Sequence, residues 1–362
     1  MSSRRRCNLV TILFAGHNLH FIEELMKRFS KDGHTVIRDQ WGGHSIHDEE
    51  TSHSLLSQAD IIVCEWALGN SVWYSNHTRP EQRLFIRFQR QEIETEFPNQ
   101  INWGSVEKMV FTAPYFRTQA IEKFSIPSDK TIFIPNYVDT SRFALKKSSA
   151  SKYTIGMLGI VPRLKRMDRA LDILKIVRGQ EPRFNLRVKG KMPDDHAWML
   201  KREEEMNWYQ EQFERIKSDP DLNGHVHFDA WGPDVPEWFT NINHILSVSD
   251  YEGSHQAVAE GAASGAIPTV VKWDGADMIY PPEWCFDDVE SAAKAILKRS
   301  VQSRNGRKWY RVIKTRYDIK RIHKQWTMLF GLERGILSRI FSPLTSLIFP
   351  STDPKGIQVE EE

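Results

Sequence analysis

Two carboxylates eight positions apart give the strongest chemical signal in the chain. They lie in a stretch of small residues from Ser249 to Pro268, Glu252 in a predicted loop and Glu260 in the predicted helix that follows. Backbone N–H groups at the start of that helix form a site for an anion, and carboxylates beside it can accept hydrogen bonds from sugar hydroxyls. Each residue alone is also consistent with a turn or a solvated helix face, so the prediction depends on the whole stretch.

The elements that would position this stretch repeat one pattern in both halves of the chain: a short apolar strand, a loop and an amphipathic helix. Leu9 to Ala15 predicts a strand and Phe21 to Phe29 a helix; Tyr153 to Leu158 predicts a strand and Met167 to Val177 a helix. Continuous apolar strands that alternate with helices indicate an α/β fold with parallel sheets covered on both faces. Ligands bind such sheets at the carboxyl ends of the strands.

The length of 362 residues exceeds the usual size of a single hydrophobic core and predicts two domains. The polar segment 144–152 lacks apolar periodicity and predicts the linker between them. The expected divisions are 1–146 for an N-terminal α/β domain, 152–305 for a C-terminal α/β domain, 306–330 for a helix packing back on the N-terminal domain, and 331–362 for an amphipathic and acidic tail.

Composition excludes several classes of protein. With 40% hydrophobic and 27% charged residues, the chain is neither disordered nor collagen-like. Cys7, Cys64 and Cys285 are far apart, which excludes a disulfide framework and a Cys-rich zinc site. The first apolar run is too short for a signal peptide, and no stretch reaches the ~18 apolar residues that a membrane span requires. We therefore expect a cytoplasmic protein.

Positive charge is concentrated towards the C-terminus. Between Lys294 and Arg339 there are fourteen Lys and Arg residues but only two acidic residues, although the net charge of the whole chain is +2. Basic residues followed by an apolar segment are typical of a helix on an anionic membrane, so 294–349 predicts a peripheral contact with the inner face of the membrane. A closing helix of the fold would explain the apolar residues alone. Nucleic-acid binding lacks a recognisable motif and is not expected.

The stretch around Glu252 and Glu260 resembles the E-x7-E signature of retaining GT-B glycosyltransferases, the group that includes glycosyltransferase family 4. Three other segments resemble this family in the same order along the chain: Val10 to His34, Ile134 to Phe143 with its Pro-Asn-Tyr-Val-Asp string, and Tyr153 to Asp168. The resemblance covers roughly residues 8 to 330. It implies two Rossmann-like domains that face a cleft, with a C-terminal crossover helix: an acceptor-side domain first and a domain that binds a nucleotide sugar second.

The resemblance also implies roles on the donor side of the cleft. Glu252 would meet the hydroxyls of the donor sugar, Glu260 would hold the ribose, and Lys165 would neutralise the departing diphosphate. The backbone amides of Gly253, Ser254 and His255 would face the transferred sugar and the diphosphate, and Gly16 would let the backbone of the N-terminal loop approach the phosphates. The base would be read around Gly190, Lys191 and the segment 231–236.

The sequence departs from the family pattern at two positions. Ile160 follows Gly159 where the family usually has Arg; Arg163 or Arg166 could supply that cation, and we favour Arg163 as the second catalytic cation beside Lys165. The segment 84–92 resembles the catalytic loop of the N-terminal domain, but Gln89 stands where the family often has His. Gln89 can hydrogen-bond a substrate but cannot titrate.

The acceptor is expected at the ends of the N-terminal strands. Glu65, Trp66 and Asn70 follow a predicted strand, and Arg87 and Gln89 belong to the loop-like segment 84–92. Carboxylate, amide and aromatic side chains suit a saccharide, although core packing is an equal alternative for Trp66.

No metal site is expected in the reaction. Asp219-x-Asp221 has the pattern of metal-dependent sugar transferases but lies in a polar turn-like segment, and His225, His227 and Asp229 alternate as one face of a strand.

The resemblance therefore implies a retaining, metal-independent transferase without a cofactor. It would move a sugar from a UDP- or GDP-linked donor to a bacterial envelope glycan or a lipid-linked saccharide. The alternative is a non-catalytic subunit of the same fold that binds a glycan or a partner transferase, which Ile160 and Gln89 favour.

Overall fold

The structure is a computed structural model that describes residues 9–300 and 306–333. Two six-stranded sheets follow one another along the chain, and every paired strand in both sheets is parallel. The prediction of an α/β fold with two parallel sheets is confirmed. The part of the sequence analysis that concerns residues 1–8, 301–305 and 334–362, which includes most of the tail, lies outside the described residues.

The N-terminal sheet has the spatial order β2-β1-β3-β4-β5-β6. Its strands are β1 (Thr11–Gly16), β2 (Thr35–Gln40), β3 (Ile61–Glu65), β4 (Arg83–Phe88), β5 (Val106–Phe111) and β6 (Thr131–Phe133). Strand β3 is buried along its whole length, as a central strand with helices on both faces must be. The order reverses between β1 and β3, which is the switch point where such sheets bind ligands.

Five α-helices accompany this sheet. They are α1 (Glu23–Lys31), α2 (Glu49–Gln58), α3 (Gly69–His77), α4 (Pro114–Phe124) and α5 (Thr140–Phe143). Helix α1 shows how the sequence builds them: Leu25, Met26 and Phe29 recur at helical spacing and are buried, while Glu23 and Lys27 face solvent. Asp48 caps α2 by accepting a hydrogen bond from the backbone N–H of Thr51 at 2.7 Å.

The C-terminal sheet has the spatial order β12-β11-β10-β7-β8-β9. Its strands are β7 (Thr154–Leu158), β8 (Asn185–Lys189), β9 (Val226–Asp229), β10 (His244–Ser247), β11 (Ile267–Val271) and β12 (Cys285–Phe286). The order reverses between β7 and β10, so the switch point of this sheet lies between those two strands.

The remaining helices surround the second sheet or close the chain. They are α6 (Met167–Arg178), α7 (Glu203–Ser218), α8 (Val235–Phe239), α9 (Gln256–Ala263), α10 (Ala276–Ile279), α11 (Val289–Ser300), α12 (Gly306–Arg316) and α13 (Ile319–Leu329). Single turns of 3-10 helix occur at His20–Ile22, Gln91–Glu94, Phe97–Gln100, Ser128–Lys130, Ser149–Tyr153, Arg163–Lys165, Pro193–Asp195, Met199–Lys201 and Pro282–Trp284.

The last two helices cross from the second sheet to the first. Trp309 and Ile313 of α12 are buried in the same cluster as Ala262 and Ala263 of α9. The chain then bends where Tyr317 and Ile319 exchange backbone hydrogen bonds with Val138, at 2.8 and 3.0 Å. This bend turns α13 onto the N-terminal sheet.

Helix α13 packs on the outside of the N-terminal sheet. Its Trp326, followed by Phe330, is buried with Phe29 of α1 and Phe85 of β4. The guanidinium of Arg83 donates a hydrogen bond to the carbonyl of Phe330 at 2.6 Å. The predicted crossover is therefore present, and it consists of two helices rather than one.

Two segments differ from the sequence-based expectation. The segment 84–92 was expected to be a loop, but its first half is the buried strand β4, because Leu84 to Phe88 are all shielded on both faces. The expected linker 144–152 is fixed to the second domain: Lys147 is partly buried and donates to the carbonyls of Phe239 and Ile242 at 2.8 and 2.7 Å. Burial lowers the pKa of Lys147 to about 7.

Candidate active site in the cleft

Lys165 and Glu252 meet at the switch point of the C-terminal sheet. Lys165 ends the 3-10 turn that follows β7, and Glu252 follows β10, the neighbouring strand. The ammonium of Lys165 donates to the Glu252 carboxylate at 2.5 Å, and the hydroxyl of Ser249 donates to the same oxygen at 2.7 Å. Residues 87 positions apart are thus brought into one ion pair at the end of the sheet where ligands bind.

The loop that carries Lys165 is held against the loop that carries Glu252. The backbone N–H of Asp250 donates to the carbonyl of Leu164 at 2.9 Å. The Asp250 carboxylate also accepts from Arg166, at 2.8 Å, and forms an ion pair with Arg169, also at 2.8 Å. These contacts hold the loop of Lys165 beside Glu252.

Glu252 is charged despite its burial. Burial alone would raise the pKa of this carboxyl. The electrostatic effects of His255 and Lys165, together with the hydrogen bonds from Lys165 and Ser249, outweigh burial and hold the pKa below its ordinary value. The site therefore presents a charged carboxylate and an ammonium side by side.

His255 precedes α9 and turns its ring into the protein. Its Nδ1 lies 2.6 Å from the hydroxyl of Ser247, which also accepts from the indole N–H of Trp273 at 3.1 Å. Burial, with a smaller contribution from Lys165, lowers the pKa of His255 to about 4, against the opposing effect of Glu252. The ring is neutral at pH 7, and its buried Nε2 has no hydrogen-bond partner among the described residues.

Helix α9 lies close to its strand because Gly261 faces β10. A Cβ atom at position 261 would approach the side chain of Ile245 to 2.7 Å, so a larger residue would push the helix away. The loop before the helix is held by Tyr280, a fully buried residue whose hydroxyl donates to the carbonyls of Ser254 and His255 at 2.6 and 3.1 Å. The backbone N–H of Val258 donates to the carbonyl of His255 at 3.0 Å, and the N–H groups before it have no acceptor within the helix.

Glu260 lies one turn into α9 and is partly buried. Its carboxylate accepts a long hydrogen bond from the Gln256 amide, at 3.4 Å, and burial raises its pKa to about 7, with Gln256 and Arg142 opposing. Gln256 also donates to the carbonyl of Tyr137 at 3.0 Å, across the cleft. A carboxyl group with so weak a partner has hydrogen-bonding capacity left for a ligand.

The predicted base-reading residues lie at the end of β8. Gly190 packs backbone to backbone on Gly159, and the N–H of Gly159 donates to the carbonyl of Lys189 at 2.8 Å. The ammonium of Lys191 lies 5.5 Å from the centre of the Trp231 ring. Trp231 is exposed, so its second face is open to a flat ligand.

Arg163 and Ile160 do not join the Lys165–Glu252 pair. The guanidinium of Arg163 lies over the ring of Trp208 on α7, 5.2 Å from its centre. Ile160 is buried in the core of the second sheet, where its carbonyl accepts from Tyr209 at 2.6 Å. Arg166, the other arginine considered, pairs with Asp168 and Asp250. Lys165 is thus the cation that the structure places on Glu252.

The predicted acceptor residues of the N-terminal domain form a buried network. Glu65 at the end of β3 accepts from Arg87 of β4 at 2.6 Å and from Gln89 at 2.9 Å. All three side chains are buried, and burial raises the pKa of Glu65 against the effects of Arg87 and Gln89. These groups are engaged with one another, and their contact with an acceptor stays a prediction.

Two residues that the sequence analysis did not single out extend this network. Arg87 donates to the side-chain oxygen of Asn136, and the Asn136 amide donates to the hydroxyl of Ser254 at 2.9 Å, which links the two domains. The hydroxyl of Thr112, after β5, donates to Gln89 at 3.2 Å. Asn136 lies inside the Pro-Asn string already noted in the sequence. Its position directly after a predicted strand could have marked it as a residue of the site.

Gly16, Asn70 and Trp66 shape the end of the N-terminal sheet. A Cβ atom on Gly16 would lie 2.7 Å from the carbonyl of Glu65, so the close approach of β1 to β3 requires glycine. Asn70 is buried and donates to the carbonyls of Ala15 and Glu65 at 2.9 and 3.0 Å. Trp66 is partly exposed and donates to the carbonyl of Asn18 at 3.0 Å. Of these three residues, Trp66 alone presents a side chain to the cleft.

Gly253 lies where the two domains come close together. A Cβ atom at this position would lie 3.3 Å from the Cβ of Arg90, which belongs to the N-terminal domain. The guanidinium of Arg90 also lies 4.8 Å from the centre of the Tyr251 ring. The two walls of the cleft are therefore in contact beside Glu252.

The chain is similar to several solved structures of glycosyltransferases. A glycosyltransferase from Rickettsia africae superposes with a TM-score of 0.69 at 14% identity, covering 90% of this chain and 98% of its own. HepE from Anabaena, in complex with UDP and glucose, superposes with a TM-score of 0.64 at 12% identity, covering 89% of this chain and 99% of its own. Sucrose-phosphate synthase from Thermosynechococcus elongatus superposes with a TM-score of 0.66 at 14% identity, covering 89% of this chain and 98% of its own.

The chain has the GT-B fold. At these identities the likeness establishes the fold alone, and the GT-B part of the sequence-based prediction is confirmed. No protein-family model matches the chain, and no curated protein is significantly similar to it. Within the described residues of this GT-B chain, no helix is long and apolar enough to cross a membrane.

Proposed function

We propose that the chain is a retaining glycosyltransferase that takes its sugar from a nucleoside diphosphate donor. The Lys165–Glu252 pair at the switch point of the C-terminal sheet is the observation that carries this proposal. The pair combines a cation for a diphosphate with a carboxylate for sugar hydroxyls, and α9 begins at Gln256, shortly after Glu252, with a helix N-terminus that favours an anion. HepE, of the same fold, has been crystallised with UDP-glucose, which supports a nucleotide-sugar donor.

In the proposed reaction, the bond between the anomeric carbon and the diphosphate oxygen breaks, and the acceptor hydroxyl oxygen bonds to that carbon. Negative charge develops on the departing diphosphate, where Lys165 and the amides of Gly253, Ser254 and His255 stabilise it. The proton of the acceptor hydroxyl passes to an oxygen of the diphosphate. Such a reaction keeps the anomeric configuration and needs no metal, since Lys165 and the helix amides supply the positive charge.

Glu252 and Glu260 hold the two ends of the donor. The Glu252 carboxylate accepts hydrogen bonds from hydroxyls of the transferred sugar, while Lys165 moves from Glu252 to the diphosphate. Glu260 hydrogen-bonds the ribose, for which its weak contact with Gln256 leaves it free. The base stacks on the exposed face of Trp231 near Gly190 and Lys191. The UDP complexes among the structural neighbours favour UDP over GDP.

The acceptor is a saccharide of the bacterial envelope or its lipid-linked precursor, and it binds on the N-terminal side of the cleft. Because Arg87 and Gln89 are hydrogen-bonded to Glu65, the acceptor would first meet the residues around them at the surface of the N-terminal domain. Trp66 is partly exposed there beside His17, with ring centres 5.7 Å apart. A pair of aromatic rings at the carboxyl end of the sheet suits a sugar ring.

A membrane contact would bring a lipid-linked acceptor to this cleft. The described part of the basic segment 294–349 presents exposed charges on α12 and α13, among them Arg311, Lys320 and Lys324, while their apolar faces are buried. We expect anionic vesicles to retain the full chain and to release a chain truncated after residue 330. Equal retention of both would remove the tail from the proposal.

The experiment that tests the proposal is donor turnover in the presence of EDTA. UDP-glucose, UDP-N-acetylglucosamine and GDP-mannose are supplied with a simple glycoside, and released nucleotide and product anomer are read by NMR. We expect release of one nucleotide, a product with the donor's anomeric configuration, and loss of both in Glu252→Gln. Glu181→Gln, which changes a partly exposed carboxylate paired with Arg183, serves as the matched control. An inverted product would overturn the retaining mechanism.

The alternative is a non-catalytic GT-B subunit that binds a glycan or a partner transferase. Two observations favour it: Ile160 is buried in the core, and Gln89 is engaged in the Glu65 network rather than free in the cleft. Such a subunit would release no nucleotide from any donor, with or without a glycoside. Binding of UDP without turnover in the wild-type chain would favour this alternative over the transferase.

A further inference from the structure

Two helices on the N-terminal domain bring together a carboxylate and two imidazoles. Glu49 and His53 lie one turn apart on α2, and His77 ends α3. Candidate ligand atoms of the three side chains all lie within 4.8 Å of one another. We propose that Glu49, His53 and His77 bind a divalent transition metal ion, Zn²⁺ in the first place, at a site separate from the donor site.

Trp73 of α3 orients all three side chains. Its indole N–H donates to the Glu49 carboxylate at 3.3 Å. Its ring stacks on His77, with centres 4.2 Å apart, and meets His53 edge to face at 4.8 Å. One rigid aromatic residue thus sets the direction of each ligand, as supporting groups do around metal ions in proteins.

The hydrogen bonding of His77 leaves the correct nitrogen for a metal. Nδ1 lies 2.8 Å from the backbone carbonyl of Trp73, and a carbonyl can only accept, so Nδ1 carries the proton. The lone pair of the neutral ring is then on Nε2. A histidine whose first nitrogen donates to a carbonyl while the second binds the ion is the usual arrangement at zinc sites.

The second histidine directs a ring nitrogen to the same point. Nε2 of His53 lies 3.9 Å from the Glu49 carboxylate, too far for a hydrogen bond and close enough for both atoms to bind one ion. With Zn–N and Zn–O distances of about 2.0–2.2 Å, ligand atoms around tetrahedral zinc are about 3.3 Å apart. Glu49 and His53 are exposed, so small side-chain rotations bring the ligands to these distances.

Two imidazoles and one carboxylate are the donor set that Zn²⁺ prefers among the common divalent ions. Ca²⁺ and Mg²⁺ require more oxygen ligands than this site offers. A fourth position stays open to water. The ion would join the first turns of α2 to the end of α3. Helix α3 begins at Gly69, directly after the loop of Trp66, so the ion would stiffen this wall of the cleft without entering the reaction.

Zinc titration of the full-length, EDTA-treated and dialysed protein tests the site. Calorimetry, with a competing chelator if binding is tight, is expected to show one equivalent bound. His77→Gln and Glu49→Gln are each expected to weaken the affinity at least tenfold, because each removes a ligand. His227→Gln, an exposed histidine on the second sheet, is the matched control and should change the affinity less than twofold.

A second readout separates loss of the site from misfolding. Co²⁺ bound to the same ligands gives the visible absorption of a tetrahedral ion, which the two ligand variants should lose while their far-ultraviolet circular dichroism stays that of the wild type. Absence of stoichiometric Zn²⁺ binding, or equal binding by wild type and His77→Gln, would overturn the proposal and leave the cluster as aromatic packing on Trp73. Donor turnover after EDTA treatment is independent of this outcome.

Discussion

The two walls of the cleft carry the same kind of ion pair in two different settings. On the C-terminal wall, the side chains of Lys165 and Glu252 are 20% and 11% exposed. On the N-terminal wall, those of Arg87 and Glu65 are 3% and 0% exposed. Both pairs lie at strand ends beside a switch point, yet one is open to a ligand and the other is sealed.

This difference separates binding from structure. An ion pair that keeps some access to solvent can exchange its internal partner for a ligand, as we propose for Lys165. In a sealed pair, both charged groups already have their hydrogen-bond partners inside the protein. Removing one of them mainly lowers the free energy of unfolding. Position at a strand end predicts where a ligand binds, but burial decides which residues there remain available.

The largest effect is expected from breaking the sealed pair. Arg87→Met leaves the Glu65 carboxylate buried without its cation, which should lower the free energy of unfolding by about 3–5 kcal/mol. Urea unfolding followed by circular dichroism measures this change. Arg183→Met, which removes the exposed partner of Glu181, is the control and should cost much less than Arg87→Met. Equal losses in the two variants would contradict the comparison.

Breaking the open pair, Lys165 and Glu252, should affect activity more than stability. Lys165→Met is expected to lower kcat for sugar transfer about 10²–10³-fold, because the charge on the departing diphosphate loses its cation. Its free energy of unfolding should change much less than that of Arg87→Met. Steady-state kinetics measure the effect, with the donor that the turnover experiment identifies. Lys175→Met, which removes a lysine paired with Asp219 at 2.7 Å on the surface, should retain full activity.

The buried carboxyl group of Glu92 makes the N-terminal wall sensitive to pH. Glu92 accepts from the N–H groups of Ala67 and Gln89, both at 3.0 Å, and burial raises its pKa to about 7. An acid with a raised pKa holds its proton longer in the folded state, so stability falls as pH rises from about 4.5 to 7.

Glu92→Gln removes the part of this pH dependence that comes from Glu92. We expect the variant to be more stable than the wild type at pH 8 by about 1–3 kcal/mol and similar to it at pH 4.5. Urea unfolding at the two pH values measures the difference. The lowered pKa of Glu252 works in the other direction, since its contribution to stability is lost as the pH falls below its ordinary range. A wild-type protein that gains stability from pH 4.5 to 8 through Glu92 would contradict this assignment.

The smallest effect is expected at the ribose. Glu260→Ala should weaken nucleotide binding about tenfold, or ~1.4 kcal/mol, through the loss of one hydrogen-bonding group. Turnover at saturating donor should change less than the KM, since Glu260 is remote from the bond that breaks. Donor titration of initial rates separates the two constants. A fall in kcat with an unchanged KM would place Glu260 at the reaction centre instead.

The sequence predicted the fold because apolar periodicity is local. The strands β1, β7 and β11 and the helices α1 and α6 each bury a face that is visible in ten or so residues. The fold class is confirmed on this basis. Strand β4 was missed because Arg83 and Arg87 interrupt its apolar run, and the partners that satisfy them, Glu107 and Glu65, lie elsewhere in the chain.

The sequence predicted several residues of the candidate site but not the contacts that join them. Glu252 and Lys165 were named from the sequence, and the structure brings them together; their roles stay a prediction. Asn136, Tyr280 and Ser249 were missed because each acts through a contact made only in the folded chain. The direction of Arg163, towards Trp208, depends on α7 and could not be read from spacing.

Nucleotide binding in the presence of EDTA tests the central claim most directly. UDP and GDP are added to the wild type, Lys165→Met and Lys175→Met, and the change in thermal stability is measured. A ligand at 100 times its Kd stabilises the fold by about 2.7 kcal/mol. We expect one nucleotide to stabilise the wild type and Lys175→Met, and to lose most of this effect in Lys165→Met. Stabilisation of Lys165→Met equal to that of the wild type, or of no protein by either nucleotide, would contradict the account.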